Sequence, residues 1–181
     1  DLDKEDWAEL AAKGTVKFRA PCLRPGGWAP KPEEMDKLGL APQDSATLKE
    51  AYARAYQRAW AQIRPLCQAA LGSSTDAVDK IGVDSCAHLI YDVAQSADQE
   101  ATAEAHTQAA EIRAGQRPEP GPNDKVHPVT RLFLTLTAQL PAFEADLAKR
   151  LGPEEAHRLA FADGMCRSDD RWGGGRKRAP K

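Results

Sequence analysis

The sequence predicts an all-α fold, an irregular bundle built on two or three long amphipathic helices and held together by disulfides. Apolar side chains recur at three- and four-residue steps over long stretches, which is the period of an amphipathic helix. Four cysteines stand far apart, and prolines and glycines cluster between the periodic stretches. We expect residues 1–166 to form one helical domain and residues 167–181 to form a basic, flexible, disordered tail.

The N-terminal segment is predicted to be rich in loops. A short helix is expected over residues 3–12, with Asp3 as its N-cap. Residues 15–19 alternate apolar and polar side chains, which indicates a short extended piece without an obvious partner strand. Residues 21–32 contain four prolines and two glycines, and we expect an ordered loop pinned by Cys22 and Trp28, with a mobile loop as the alternative.

The strongest helical pattern covers residues 42–71 and predicts a central scaffold helix. Gly72 is expected to end this helix, and Pro65 is expected to bend it. The apolar face of the helix is formed by Leu48, Tyr52, Ala55, Tyr56, Ala59, Ile63, Leu66, Cys67 and Ala70.

Two more helices are predicted to follow, a short one over residues 75–81 and a long one over residues 84–114. The second half of the long helix, residues 95–110, has no large apolar side chain, so we expect it to project or fray. His106, and His127 beyond this helix, are expected to be solvated.

The C-terminal half is predicted to begin with a linker. Residues 115–128 are rich in proline and glycine and form the expected internal boundary. A helix over residues 132–151, kinked or restarted by Pro141, is expected to pack on the scaffold helix. A last short helix is expected over residues 154–162.

The four cysteines predict two disulfides, because none of them shows the paired spacing of a zinc or redox motif. Three connectivities are possible, and four buried thiols in a cytosolic protein are the alternative. We favour Cys67 with Cys86, which closes a helix-loop-helix corner and stabilises it by about 3 kcal/mol. Cys22 then pairs with Cys166. Such bridges imply an oxidising compartment.

The charge pattern gives no strong field that would attract nucleic acid specifically. Lys and Arg number 25 against 27 Asp and Glu, for a net charge of -2. The tail from Arg167 to Lys181 holds six basic and two acidic residues and is expected to be solvated, with contact to nucleic acid, lipid or a partner as the alternative. The sequence contains no run of about 18 apolar residues, so no membrane-spanning helix is predicted. An upstream signal peptide, membrane helix or lipid anchor before Asp1 is compatible with the sequence.

The sequence contains no recognisable catalytic or cofactor-binding motif. It has no nucleophile elbow, papain-type cysteine box, H-E-x-x-H pair or P-loop, so we assign no catalytic residue and no cofactor. Cys86 and His88 stand near Asp84, but positions two apart on a helix point to different faces. No metal ligands are therefore assigned.

Trp28 and Trp172 are the candidate binding residues. Both stand in glycine-rich irregular segments, close to Cys22 and Cys166 respectively. Trp is common at the centre of binding interfaces, so these side chains are candidates for a patch that faces a ligand or a partner. The alternative for both is a cover over the core.

Two short stretches resemble known bacterial families. Residues 38–44, which lead into the scaffold helix, resemble the L-x-L-T-x-x-Q helix start of the periplasmic LTxxQ proteins, which include stress chaperones and heavy-metal-resistance sensors. Residues 136–139 resemble a shorter part of the same pattern. The first stretch departs from the pattern at Ala41 and Asp44, so no residue role is carried over. The pattern of residues 151–166 looks like the end of uncharacterised extracytoplasmic helical domains of high-GC bacteria, which implies a compartment.

Three functional hypotheses follow from these observations. The first is a non-catalytic periplasmic or secreted domain that senses or binds a protein partner or a small ligand. The second is an extracytoplasmic chaperone-like or metal-responsive protein in the LTxxQ manner. The third is a hydrolase of unrecognised type, which requires a pocket that holds a histidine or carboxylate with a strongly perturbed pKa. No specific nucleic-acid partner is expected, and the oligomeric state is left open.

Overall fold

The computed structural model describes residues 2, 4–72, 75–121 and 123–173. The expected N-cap Asp3 and residues 174–181 of the expected tail lie outside these residues. The described part is mostly helical, as the sequence predicts. Its elements are α1 (Lys4–Ala12), β1 (Thr15–Pro21), α2 (Pro32–Lys37), α3 (Asp44–Leu71), α4 (Thr75–Ala97), α5 (Gln99–Arg113), α6 (Pro128–Thr137), α7 (Gln139–Leu151), α8 (Pro153–Phe161) and β2 (Arg167–Gly173).

Helix α3 is the central scaffold of the core. It ends at Gly72, whose φ of 58° is the left-handed conformation that glycine adopts without strain. Its buried face packs against α4, α6 and α7. That face is formed by Leu48, Ala51, Tyr52, Ala55, Ala59, Ile63 and Cys67.

The long helix expected over residues 84–114 is in fact two helices. Helix α4 includes a break at Gly82, which has a φ of 75°. It ends before Asp98, whose carboxylate accepts a hydrogen bond from the backbone N–H of Ala101 at 2.9 Å and so caps α5. The two helices can change direction at this cap, which one continuous helix could not.

The expectation that residues 95–110 project or fray is wrong. Helix α5 packs against α1 and α6 and buries Ala105, Ala109 and Ala110. Small side chains provide little apolar area, but they allow neighbouring helices to approach closely. His106 is buried as well, at 3% exposure, so its expected solvation is wrong too. His127 is half-buried and its Nδ1 accepts a hydrogen bond from the backbone N–H of Val129.

The proline-rich segment 115–128 is irregular, but it connects two helices of one core. Helices α5 and α6 pack against each other on either side of it. Arg131 of α6 holds the segment by donating hydrogen bonds to the carbonyl oxygens of Gly121 at 3.1 Å and Asp124 at 2.9 Å. The segment therefore does not separate two hydrophobic cores, since the buried residues on both sides belong to a single cluster.

The helix predicted over residues 132–151 restarts, as expected. Helix α6 ends at Thr137, and α7 begins at Gln139 with Pro141 in its first turn. Both helices pack on α3. No helix in the described ranges is long and apolar enough to cross a membrane.

Strands β1 and β2 pair in an antiparallel ribbon that the sequence did not predict. The pairing runs from Thr15 opposite Gly173 to Pro21 opposite Arg167. Residues 167–173 were expected to begin a flexible tail, and this expectation is wrong. Beyond the end of β1, the backbone N–H of Cys22 donates to the carbonyl oxygen of Cys166 at 3.0 Å, which extends the pairing by one more contact.

Both disulfides are formed, with the connectivity that the sequence favoured. Cys67 of α3 is bonded to Cys86 of α4, with 5.4 Å between their Cα atoms. Cys22 and Cys166 are bonded at the end of the ribbon, with 5.3 Å between their Cα atoms. Both separations are typical of disulfides. No free cysteine is left.

Candidate ligand-binding cleft

A cavity of about 240 Å³ opens between the ribbon, α4 and α6. We call it the ribbon cleft. Its apolar floor is formed by Phe18, Ala20, Leu23, Ala87 and Leu136.

One wall of the ribbon cleft is strand β2. Ser168, Asp170 and Trp172 alternate with Asp169 and Arg171 along the strand, so the three share one face of the ribbon. They stand opposite the buried Ala20, Phe18 and Val16 of β1. The alternation places two polar side chains and one aromatic ring at the cavity.

The other wall is α4, which supplies Asp84 and His88. These residues are four positions apart, so they lie on one face of the helix, one turn from each other. Both are exposed at the mouth of the cavity. Cys86, between them in sequence, is fully buried and bonded to α3.

The Trp172 ring is held in an aromatic cluster. Its centroid lies 4.9 Å from that of His88, 4.6 Å from that of Tyr91 and 5.7 Å from that of Phe133. The Tyr91 and Phe133 rings meet it edge to face, an arrangement that favours ring pairs beyond their buried area. The cluster gives the partly exposed Trp172 a fixed position beside the cleft.

The ribbon cleft is acidic. Within the described part of the chain, neither Asp84 nor Asp170 forms an ion pair or a side-chain hydrogen bond. Asp169, on the opposite face of the ribbon, is by contrast paired with Arg19 at 2.7 Å. No Lys or Arg of the described residues lines the cleft, whereas the two carboxylates of Asp84 and Asp170 do.

Each wall of the cleft has one disulfide close to it, and the one at α4 ties that helix to α3. The Cys67–Cys86 bond fixes α4 to α3 at a point less than one helical turn from both Asp84 and His88. The Cys22–Cys166 bond closes the end of the ribbon beside Ser168. A site built on covalently fixed elements keeps its geometry without a bound ligand, which is the preorganisation that binding sites need.

A buried histidine supports the cluster from behind. The His106 ring lies 5.6 Å from Tyr91 and 5.2 Å from Phe133, both of which touch Trp172. Burial lowers the pKa of His106, against the opposing effect of the backbone carbonyls of Ala103 and Thr102. Its Nε2 is buried and has no hydrogen-bond partner among the described groups.

A smaller cavity of about 110 Å³ lies on the other side of the ribbon. Its apolar surface includes Trp7, Leu140 and Phe161. At its rim the Arg19 guanidinium lies 5.7 Å from the centre of the Phe161 ring and is already paired with Asp169. This neutralisation and the smaller volume make it the weaker candidate.

The structure separates the two tryptophans that the sequence put forward. Trp172 lines the ribbon cleft, whereas Trp28 lines neither cavity. Trp28 meets Tyr52 of α3 edge to face at 5.1 Å and covers the core there. The hydroxyl of Tyr52 donates a hydrogen bond to the carbonyl oxygen of Cys166 at 3.0 Å. No group of three or more His, Cys, Asp or Glu side chains in the described residues is placed to hold a metal ion.

Sequence reasoning weighed Asp84 and His88 only as metal ligands and set them aside, and it missed Ser168 and Asp170 altogether. The helix face shared by Asp84 and His88 could have been found from their spacing of four. The alternation of Ser168, Asp170 and Trp172 was also present, but the surrounding charges and glycines were typical of a tail. Only the pairing with β1, some 150 residues away, makes that alternation meaningful.

Comparison of the chain with protein-family models, with curated proteins and with solved structures finds no match in any of the three. The class that the fold and the site define is a disulfide-bonded helical domain with a two-stranded ribbon and an acidic cleft beside it. Function has to be argued from that cleft, because a fold alone does not specify an activity.

Proposed function

We propose that this chain is a non-catalytic binding domain that works outside the reducing cytoplasm and holds a small ligand, or a side chain of a protein partner, in the ribbon cleft. The observation that carries the proposal is the pair of unpartnered carboxylates, Asp84 and Asp170, at the mouth of a cavity with an apolar floor. Concave apolar sites with a few convergent polar groups are the usual form of a binding site.

The two disulfides support a location in an oxidising compartment, because such bonds are rare in reducing cytosol. We propose the periplasm or the cell exterior. Intact mass of the unreduced chain after treatment with an alkylating agent tests the bonds directly. The proposal requires a mass about four hydrogens below that of the reduced chain and no alkylation, and four alkylated thiols would contradict it.

The residues that the hydrolase hypothesis needs lie together in the cleft, but the hydrogen bonds that would join them into a triad are not formed between the described side chains. Ser168, His88 and Asp84 all line the ribbon cleft and are the residue types of a hydrolytic triad. No hydrogen bond joins any two of these three side chains in the structure as described. A binding role requires no such relay, and for this reason we prefer it.

The chaperone-like hypothesis needs a broad apolar surface for client proteins. The large apolar side chains exposed in the described ranges are Ile81 and Val93, at 39% and 40%. Two separate half-exposed residues do not make a contiguous apolar patch of the size that marks a protein-binding surface.

The proposal is tested by NMR titration of the ¹⁵N-labelled, oxidised chain with three small probes of different charge. Butylammonium, 1-butanol and butyrate are each titrated to high millimolar concentration. The indole N–H signal of Trp172, assigned by its loss in W172F, reports on the cleft, and the Trp28 indole serves as the control. We expect at least one probe to shift the Trp172 signal saturably while Trp28 stays still. Failure of all three probes to do so, both in the natural chain and in R176Q/K177Q/R178Q, would overturn the proposal.

A further inference from the structure

We infer that the ribbon cleft selects an organic cation, a primary ammonium or guanidinium group carried on a short apolar stem. The inference rests on the proposed binding function and names the chemical class of its ligand. Four features of the cleft carry it, namely its charge, its aromatic wall, its floor and its size.

Charge is the first feature. Asp84 belongs to α4 and Asp170 to β2, and both carboxylates border the cleft. Neither is neutralised by a described Lys or Arg, although many other carboxylates of this protein are, including Asp79 by Arg64 and Asp146 by Arg58. A cation that enters the cleft is therefore attracted by two carboxylates that have no other ion-pair partner, and an anion is repelled by both.

The aromatic wall is the second feature. Trp172 is the aromatic side chain with the strongest attraction for a cation, and it borders the same space as both carboxylates. Tyr91 and Phe133 hold its ring in place, so little side-chain freedom is lost when a ligand binds.

The floor and the size point to an organic cation rather than a metal ion. Phe18, Ala20 and Leu136 offer no oxygen ligands from their side chains but do offer apolar surface for a hydrocarbon stem. Metal ions such as Ca²⁺ take six or more oxygen ligands, which two carboxylates on opposite walls do not supply. The volume of about 240 Å³ lies below the range of about 300–1,000 Å³ for drug-sized ligands and suits a group the size of a Lys or Arg side chain.

The cation has two possible sources, a molecule in solution and the chain itself. Arg176, Lys177 and Arg178 follow Trp172 after three glycines. Arg176 is four residues from Trp172, so a fully extended chain places it within about 14 Å. Both sources offer the same chemistry, and the experiment separates them.

The experiment compares affinities for the three probes in the full oxidised chain and in three variants. In the natural chain we expect butylammonium to bind in the millimolar range and to bind at least about fivefold more tightly than 1-butanol or butyrate. D84N/D170N should lose about fivefold in butylammonium affinity and leave the affinity for 1-butanol unchanged. D36N removes an exposed carboxylate on α2, outside the cleft, and should have no effect. R176Q/K177Q/R178Q tests the chain as the source.

Each outcome decides a different point. If R176Q/K177Q/R178Q binds butylammonium more tightly than the natural chain, the inference is supported and the chain's own basic residues are the occupant. If its affinity for butylammonium is unchanged, the inference is supported and the occupant is an external amine. Equal or tighter binding of 1-butanol or butyrate at the Trp172 signal overturns the cation inference and leaves the binding function standing. No saturable shift with any probe, in the natural chain or in R176Q/K177Q/R178Q, overturns both.

Discussion

His106 is an ionisable ring enclosed by the aromatic residues that support the ribbon cleft. Burial lowers its pKa below the ordinary value of about 6.5. As the pH falls below that ordinary value, the unfolded chain takes up a proton that the folded chain resists. The free energy of unfolding should therefore fall from pH 7 to pH 5, by at most about 1.4 kcal/mol per pH unit for one proton. Urea denaturation at stepped pH measures this slope.

A second histidine has to be separated from His106 in that measurement. Burial also lowers the pKa of His127, against the opposing charge of Asp98, so both histidines give a slope of the same sign. H106Q and H127Q should each flatten part of the slope, with the larger part lost in H106Q because His106 is the more deeply buried. The range from pH 5 to 7 lies above the ordinary pKa of carboxyl groups, about 4, so the ion pairs of carboxylates with Lys and Arg contribute little to the slope there. An unchanged slope in H106Q would show that the ring is accessible to protons in the folded state.

Gly26 and Gly27 form a natural pair for measuring a close backbone approach. Both have a φ near 79°, so alanine at either position carries the same left-handed strain, about 1–2 kcal/mol. A Cβ at Gly26 meets nothing within 4 Å, whereas a Cβ at Gly27 lies 2.2 Å from the carbonyl oxygen of Lys49 on α3. We expect G27A to destabilise the chain by about 1–3 kcal/mol more than G26A in thermal or urea unfolding. Equal costs would mean that this loop is not seated on α3.

Among the elements, the helices were predictable and the ribbon was not. The apolar face of α3 repeats over about eight turns, so it can be identified from that segment of the sequence alone. A two-stranded ribbon is marginally stable alone and depends on packing against helices. Strand β2 in addition carries three exposed charges, so its sequence shows no core-facing hydrophobic run. Helix α5 was misjudged for another reason, because alanine contributes to packing through its small size.

The two disulfides should differ in their effect on these elements. Cys67–Cys86 spans 19 residues and Cys22–Cys166 spans 144, so the chain-entropy model gives losses of about 3 and about 5 kcal/mol on removal. C67S/C86S should keep the ribbon, whereas C22S/C166S should broaden or shift the Trp172 indole signal as the ribbon end is released. Urea unfolding and the NMR spectrum of each variant test this. A smaller loss in C22S/C166S than in C67S/C86S would show that the ribbon is held by its packing alone.

At the scale of the whole molecule, the sequence divides the chain where the structure does not. The proline-rich segment 115–128 has the composition of a linker, and composition alone cannot show which helices meet across it. The contacts of Arg131 with Gly121 and Asp124, and the packing of α5 on α6, depend on the folded chain. For the candidate site the sequence likewise provided Trp172 and both disulfides, while the four polar residues of the cleft required the pairing of β1 with β2.

A single core predicts a single unfolding transition. The buried residues from Trp7 to Met165 form one cluster, with α3 in contact with α4, α6 and α7 from both sides of the segment 115–128. Small domains with one core usually unfold in an all-or-none manner. In oxidised chain titrated with urea, tryptophan fluorescence and far-ultraviolet circular dichroism should therefore share one midpoint and one slope. A matched variant, R131Q, should lower that midpoint without splitting the transition, because Arg131 ties the segment to the core but does not form the core. Two separate midpoints in the natural chain would restore the segment as a domain boundary, since only two independent cores could melt apart across it.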